Sequence, residues 1–173
     1  MFKKTIIGSV VILLVFCAIG YTLPADYEAK RSIDINAPIE VVFDNVNTIA
    51  KHQAWSPWIG QDPSMNITYN DIPAGAGARY DWGSQASGKG AAVITKSDGP
   101  TSLEMEIDFG EDGTAKSFWR FEQVGPVVRA TWGIKGSATV NPLTRYVGIM
   151  LDRMIGAHFE TGLSRLKKES ETT

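Results

Sequence analysis

The sequence holds one cysteine, Cys17, and only two histidines, His52 and His158, among its 173 residues. A single thiol excludes an internal disulfide framework. Two histidines without paired spacing, and with no second thiol, give no transition-metal set, so no metal and no cofactor is expected. A basic excess is also missing: 17 Lys and Arg stand against 19 Asp and Glu, for a net charge of −2. Nucleic acid is therefore not an expected partner. No Gly-x-Ser-x-Gly elbow is present. The stretch 83–89 begins like a phosphate loop, but Gly90 follows where Ser or Thr should hold Mg²⁺, and a strand pattern follows where a helix is needed. Apolar residues at 43% and charged residues at 21% are near the average for a globular chain, which excludes a disordered or multi-span protein.

Charge is unevenly absent. From Thr5 to Leu23 there are 19 consecutive residues without one, preceded by Lys3 and Lys4 and followed by Asp26 and Glu28. As a helix this run measures about 28 Å, close to the roughly 30 Å hydrocarbon core of a bilayer. It predicts a signal-anchor over residues 1–24, with the N-terminus cytoplasmic and residues 25–173 displayed outside the inner membrane. A cleaved signal peptide ending after Gly20 is the alternative reading. Leu14 to Cys17 is a poor lipobox, since Phe16 sits where that signal needs a small residue. The two head lysines leave 15 basic and 19 acidic residues for the rest, net −4.

Beyond the head, Tyr27–Ile35 alternates as a strand, with Tyr27, Ala29, Arg31, Ile33 and Ile35 on one face. Asn36 is a candidate cap for a helix starting near Pro38, with Val41, Val42, Val46 and Ile49 on its buried side. Pro57 ends it. Six short strand patterns follow: 66–70, 78–82, 90–96, 102–109, 115–123 and 127–135. Turn signals separate them, among them the Asp98-Gly99 and Asp112-Gly113 pairs. This spacing predicts an antiparallel meander. A long amphipathic helix over 142–168, with Asn141 as candidate cap, closes the chain. Its predicted apolar arc holds Leu143, Tyr146, Val147, Met150, Leu151, Met154, Ile155 and Ala157, with Asp152, Arg153, Glu160 and Lys167 opposite.

The order of these elements resembles the helix-grip fold of the SRPBCC superfamily, which includes START lipid-transfer domains, birch-pollen-allergen proteins and polyketide cyclase/dehydrases. The resemblance covers about residues 27–168. It rests on Ile35–Pro38 with Val42 and Phe43, Trp55–Trp58, Pro73–Gly77, Thr131 and Trp132, Asn141–Leu143 and Met150–Gly156. The set is similar to a membrane-anchored bacterial subgroup of polyketide cyclase and lipid-transport-like proteins. It implies an α+β domain, a curved antiparallel sheet wrapped around the last helix, with an apolar cavity between them for a hydrophobic small molecule or lipid.

Strand parity then nominates the cavity lining. Met105 and Phe109 point one way while Glu104, Glu106 and Asp108 point the other. By the same rule Tyr80 and Trp82, Trp119, and Trp132 face inward, joined by Met150 and Met154 from the helix. The competing reading of each residue is plain core. Trp55 and Trp58 flank Pro57 as a candidate cavity rim, or as packing for the short helix. The Pro73–Gly77 loop is a second candidate rim, or a turn. His158 lies in the apolar arc. It is a candidate ligand contact or weak candidate acid–base group, or else a hydrogen-bonded histidine near the arc edge. Arg31 either pairs with an acid, holds a ligand carboxylate, or reaches water at a sheet end. Functionally, the sequence points to membrane-tethered binding or transport of a hydrophobic ligand. The alternatives are a polyketide cyclase/dehydrase-type enzyme using the same cavity, and an envelope protein-interaction module.

Overall fold

A computed structural model describes residues 14–59, 62, 64–86, 88–137 and 142–172 of the chain. The first alternating segment forms β1 (Asp26–Ile35). It is followed by α1 (Ile39–Asn47), a 3₁₀ turn (Ile49–Lys51) and α2 (His52–Trp55). Six strands come next: β2 (Asn66–Tyr69), β3 (Arg79–Ser84), β4 (Gly88–Asp98), β5 (Ser102–Asp108), β6 (Thr114–Val124) and β7 (Val127–Ser137). The chain closes with α3 (Pro142–Glu171). All strands pair antiparallel in the order β1-β7-β6-β5-β4-β3-β2. Neighbours in the sheet are neighbours in sequence except at one point, where β1 joins β7 from Asp26↔Ser137 to Ile35↔Val128. The three helices pack on one face of this sheet. The arrangement fits the helix-grip fold that the order of elements implied.

Parity holds along the strands. Ile94, Leu103, Met105, Trp119, Phe121, Val128, Ala130 and Trp132 are buried on the helix side. Between them and α3 lie Val42 and Val46 from α1 and Trp55 from α2, all at most 2% exposed. Burying side chains of this size contributes roughly 1.5–3 kcal/mol each, which is ample reason for the short helices to settle there. Trp55 also donates its indole N–H to the Asn45 carbonyl at 2.8 Å. It is therefore core packing and not a cavity rim. Helix α1 begins at Pro38 without a side-chain cap. Asn36 does not cap it; its backbone N–H donates instead to Glu171 Oε1 at 2.7 Å. The proposed cap Asn141 lies outside the described residues.

Helix α3 runs beside β1 in the same direction. Gly148 lies against Tyr27, Lys167 donates to the Asp34 carbonyl, and Glu171 receives the Asn36 N–H. Midway, Arg31 grips the helix with Nη1 and Nη2 on Asp152 at 2.6 and 3.1 Å and Nε on Glu160 at 2.9 Å. Gly156 leaves the space that the guanidinium occupies. Residues 148, 152, 156 and 160 thus form one i, i+4 row facing β1. A second row, Phe159, Leu163 and Leu166 with Gly156, Gly162 and Ser170, enters the core. This corrects the predicted arc. Met150 and Met154 are each 57% exposed and Ala157 is exposed, while Asp152 and Glu160 face the sheet edge. Glycine carries no hydropathic signal and the acids read as solvent-facing, so the wheel was turned away from the true contact.

The predicted membrane span is also corrected. Among the described residues no helix is long and apolar enough to cross a membrane. Residues 14–22 are helical; residues 1–13 lie outside the described residues. The described part of this segment is engaged with α3. Phe16 stacks on Tyr146 at 4.3 Å, Tyr146 donates its hydroxyl to the Phe16 carbonyl, and Arg145 donates to the Tyr21 and Leu23 carbonyls. The expected single-pass inner-membrane placement, with the domain outside, is corrected by the same finding: no described helix is long and apolar enough to span. Among the turns, Asp112-Gly113 behaves as predicted, with Gly113 at φ 97°, whereas Gly99 lacks a positive φ and instead lies against Phe43.

Two outcomes are expected. A Cβ at Gly162 would meet Trp132 Cζ3 at 2.6 Å and Pro57 Cδ at 3.0 Å. Gly162→Ala should therefore destabilise the fold by roughly 1–3 kcal/mol, read as a lower urea midpoint at constant slope; an unchanged midpoint would show that the helix can shift freely. Second, His52 is buried and donates Nε2–H to the Val46 carbonyl at 2.6 Å. Burial pushes its pKa from 6.5 down to about 4, opposed by that hydrogen bond. The unfolded chain takes up a proton below about pH 6.5 that the folded imidazole refuses. Stability from this group is thus full above pH 6.5 and falls towards pH 4, by roughly 3 kcal/mol. His52→Gln should flatten urea-derived stability across that window; an unaltered slope would exclude His52 as its source.

Candidate ligand-binding cavity

Strands β5, β6 and β7 each run from core into open space. On β5 the inward residues Leu103 and Met105 are buried, and Ile107 then faces a cavity. On β6, Phe121 and Trp119 are buried and Ser117 reaches the cavity; on β7, Val128 and Ala130 give way to Trp132 and Ile134. Helix α3 follows the same gradient, from Leu166 and Leu163 to Phe159 and Ile155. Helices α1 and α2 fill the concave face at the first end only. At the other end a cavity of about 230 Å³ is left.

Its remaining wall comes from Tyr80 and Trp82 on β3, Phe109 after β5, and Trp58, Ile59 and Met65 between α2 and β2. Gly90 stands opposite Trp82 in the register and has no side chain to obstruct the indole, which lies over it. Trp82 touches Tyr80 on one side and Phe109 on the other, with both ring centroids at 6.0 Å. Across the cavity Trp132 meets Trp58 edge-on at 5.2 Å and Phe159 at 4.5 Å. Trp58 and Phe109, 39% and 43% exposed, stand where the space reaches solvent.

Polar groups in the wall are few. Trp132 donates Nε1–H to Ser117 Oγ at 2.9 Å, and Ser117 donates to the Gly133 carbonyl at 3.0 Å, so these groups satisfy one another. The Tyr80 hydroxyl has no hydrogen-bond partner among the described residues. Burial, with Tyr69 close by, pushes its pKa well above the ordinary phenol value, so it stays a neutral donor. No carboxylate, imidazole, ammonium or guanidinium lines the cavity among the described residues.

Of the residues nominated from sequence, Tyr80, Trp82, Phe109, Trp132 and Trp58 are brought together here. Met105 and Trp119 belong to the core end, and Met150 and Met154 to the exposed outer side of α3. His158 is not in the wall. It stacks on Trp58 at 6.0 Å with the rings nearly parallel, and its Nδ1 is buried without a hydrogen-bond partner among the described residues. The Pro73–Gly77 loop is a bonded turn away from the cavity: Ile49 donates to the Pro73 carbonyl, Gly75 to Asn47 and Gly77 to Ile94. Arg31 holds two acids of its own chain, and these carboxylates keep its guanidinium firmly charged. Ile59, Met65, Ile107, Ser117, Ile134, Ile155 and Phe159 were not nominated. Ile107, Ser117 and Ile134 share the parity of Met105, Trp119 and Trp132 on their strands; nothing in the sequence separated cavity from core along a strand.

Comparison with known proteins gives one family. Residues 27–171 match the family model described as polyketide cyclase / dehydrase and lipid transport. No curated protein matches the chain. Among solved structures, a Staphylococcus epidermidis protein is similar at a TM-score of 0.58 and 18% identity, over 86% of this chain and 91% of its own. A Bacillus halodurans protein is similar at 0.57 and 20%, over 83% and 96%. The Mycobacterium smegmatis protein Ms6760 is similar at 0.56 and 17%, over 82% and 89%. Likeness at these identities concerns the fold.

Proposed function

Since the chain belongs to the polyketide cyclase/dehydrase and lipid transport family, we propose that it binds an apolar ligand in the cavity between sheet and α3 and does not transform it. The observation that carries this reading is the described wall itself, apolar except for the Ser117–Trp132 pair, the Tyr80 hydroxyl and the indole N–H groups of Trp58 and Trp82. Such a lining favours an apolar guest and imposes few hydrogen-bond demands on it. Proton-transfer chemistry needs an acid or base within hydrogen-bond reach of the substrate. The wall offers only Tyr80, held protonated, and His158 stands outside it. The binding reading is therefore preferred to the cyclase/dehydrase one. No described feature specifically favours a protein-interaction module.

Ile107→Phe adds a ring to the cavity from its β5 wall. Native mass spectrometry of gently purified protein, with thermal shifts against naphthalene, dodecanol and palmitate, should reveal one apolar molecule bound per chain. The variant should lose at least tenfold in affinity at unchanged circular dichroism. If wild type retains no apolar compound, or the variant binds as well as wild type, the proposal fails.

A further inference from the structure

We infer that the cavity takes a small, neutral ring compound, about the size of a substituted naphthalene, whose hydrogen-bond acceptor faces the Tyr80 hydroxyl, and not a two-chain lipid or a fatty acid. This rests on the apolar-ligand reading above and narrows it.

Size is the first argument. About 230 Å³ lies below the roughly 300–1,000 Å³ of ordinary small-molecule pockets. A space at this small end suits one or two fused rings better than a long acyl chain, and far better than a two-chain phospholipid.

The wall supplies the second argument. Tyr80, Trp82 and Phe109 form one run of touching rings, and Trp58, Trp132 and Phe159 form another. A planar aromatic guest gains offset-stacked and edge-to-face contacts with such walls in addition to buried area; a saturated chain gains area alone.

Polarity supplies the third. With Ser117 and Trp132 bonded to each other, Tyr80 is the hydroxyl of the described wall still open to a ligand, beside the indole N–H donors of Trp58 and Trp82. A phenol that stays protonated donates, so it selects a carbonyl or ether oxygen. A carboxylate or phosphate would enter a wall with no cation to receive it, leaving a buried charge uncompensated.

The test uses the full chain and calorimetric or indole-fluorescence titration with four probes: 2-acetylnaphthalene, its isostere 2-isopropenylnaphthalene, 2-naphthoate, and palmitate. Acetylnaphthalene should bind most tightly. The isostere should bind about five- to tenfold more weakly, the loss of one neutral hydrogen bond. Naphthoate should be weaker still, and palmitate should not saturate. In Tyr80→Phe the preference for acetylnaphthalene over its isostere should fall to about one. If that preference is absent in wild type, or survives in Tyr80→Phe, the role of Tyr80 is overturned. If palmitate binds more tightly than acetylnaphthalene, the ligand class is overturned while an apolar-ligand site stands. If no probe binds and no apolar compound is retained, both readings fall together.

Discussion

The seat of α3 on the edge strand governs the rest of the molecule. Arg31 projects from the middle of β1 and takes two carboxylates about two turns apart on one helical row, Asp152 and Glu160, across a glycine that leaves it room. These groups are partly in water, so the contact is better understood as a positional constraint than as a large stabilising energy. It fixes the rotation of the helix. With that rotation set, Phe159, Leu163 and Leu166 point into the core, and Ile155 is delivered to the cavity wall. A helix turned by a quarter would present its methionines instead, and the space beneath it would close or flood.

Given that seat, the cavity follows from unequal filling. The sheet offers one continuous concave face, but the chain supplies filler at only one end, from α1, α2 and the C-terminal half of α3. Trp55 illustrates the difference. Its ring meets Trp119 and Trp132 edge-on at 5.3 and 5.4 Å and completes the packed end. Trp58, three residues later and beyond Pro57, leans on the far side of Trp132 at the cavity mouth. One proline thus divides two indoles between core and site. Trp132 belongs to both regions, touching core rings on one side and the cavity on the other.

Much of this architecture was legible in the sequence. Strand and turn patterns located all seven strands, and period-two alternation gave the faces of β1, β3, β5, β6 and β7, because burial acts on every second residue of a strand. The cavity residues Tyr80, Trp82 and Trp132 came from that rule directly. The same rule could not separate Met105 and Trp119 from Ile107 and Ser117, because parity says which face a residue is on and nothing about how far along the sheet the filler extends. The helix was misread for a different reason: its contact row is built from Gly148, Asp152, Gly156 and Glu160, residues that score as neutral or polar. The apolar head misled in the opposite sense. Hydropathy alone suggested a span, while the described part of that segment is tied by its carbonyls to Arg145 and Tyr146.

The pairing of β1 with β7 carries a consequence for synthesis. The strands from β3 to β7 can each zip onto the one made just before, but β1 is made first and paired last. Residues 26–35 must wait until residue 137 has emerged, roughly 5–20 s at ordinary elongation rates. Through that interval β1 lacks its partner strand, and one of its faces holds Tyr27, Ala29, Ile33 and Ile35 with Arg31 among them. Its other positions are Glu28, Lys30, Ser32 and Asp34. Charges placed this way discourage pairing with a foreign edge. The face of β1 that ends in water in the finished fold is therefore also the one whose charges oppose a wrong pairing before β7 exists.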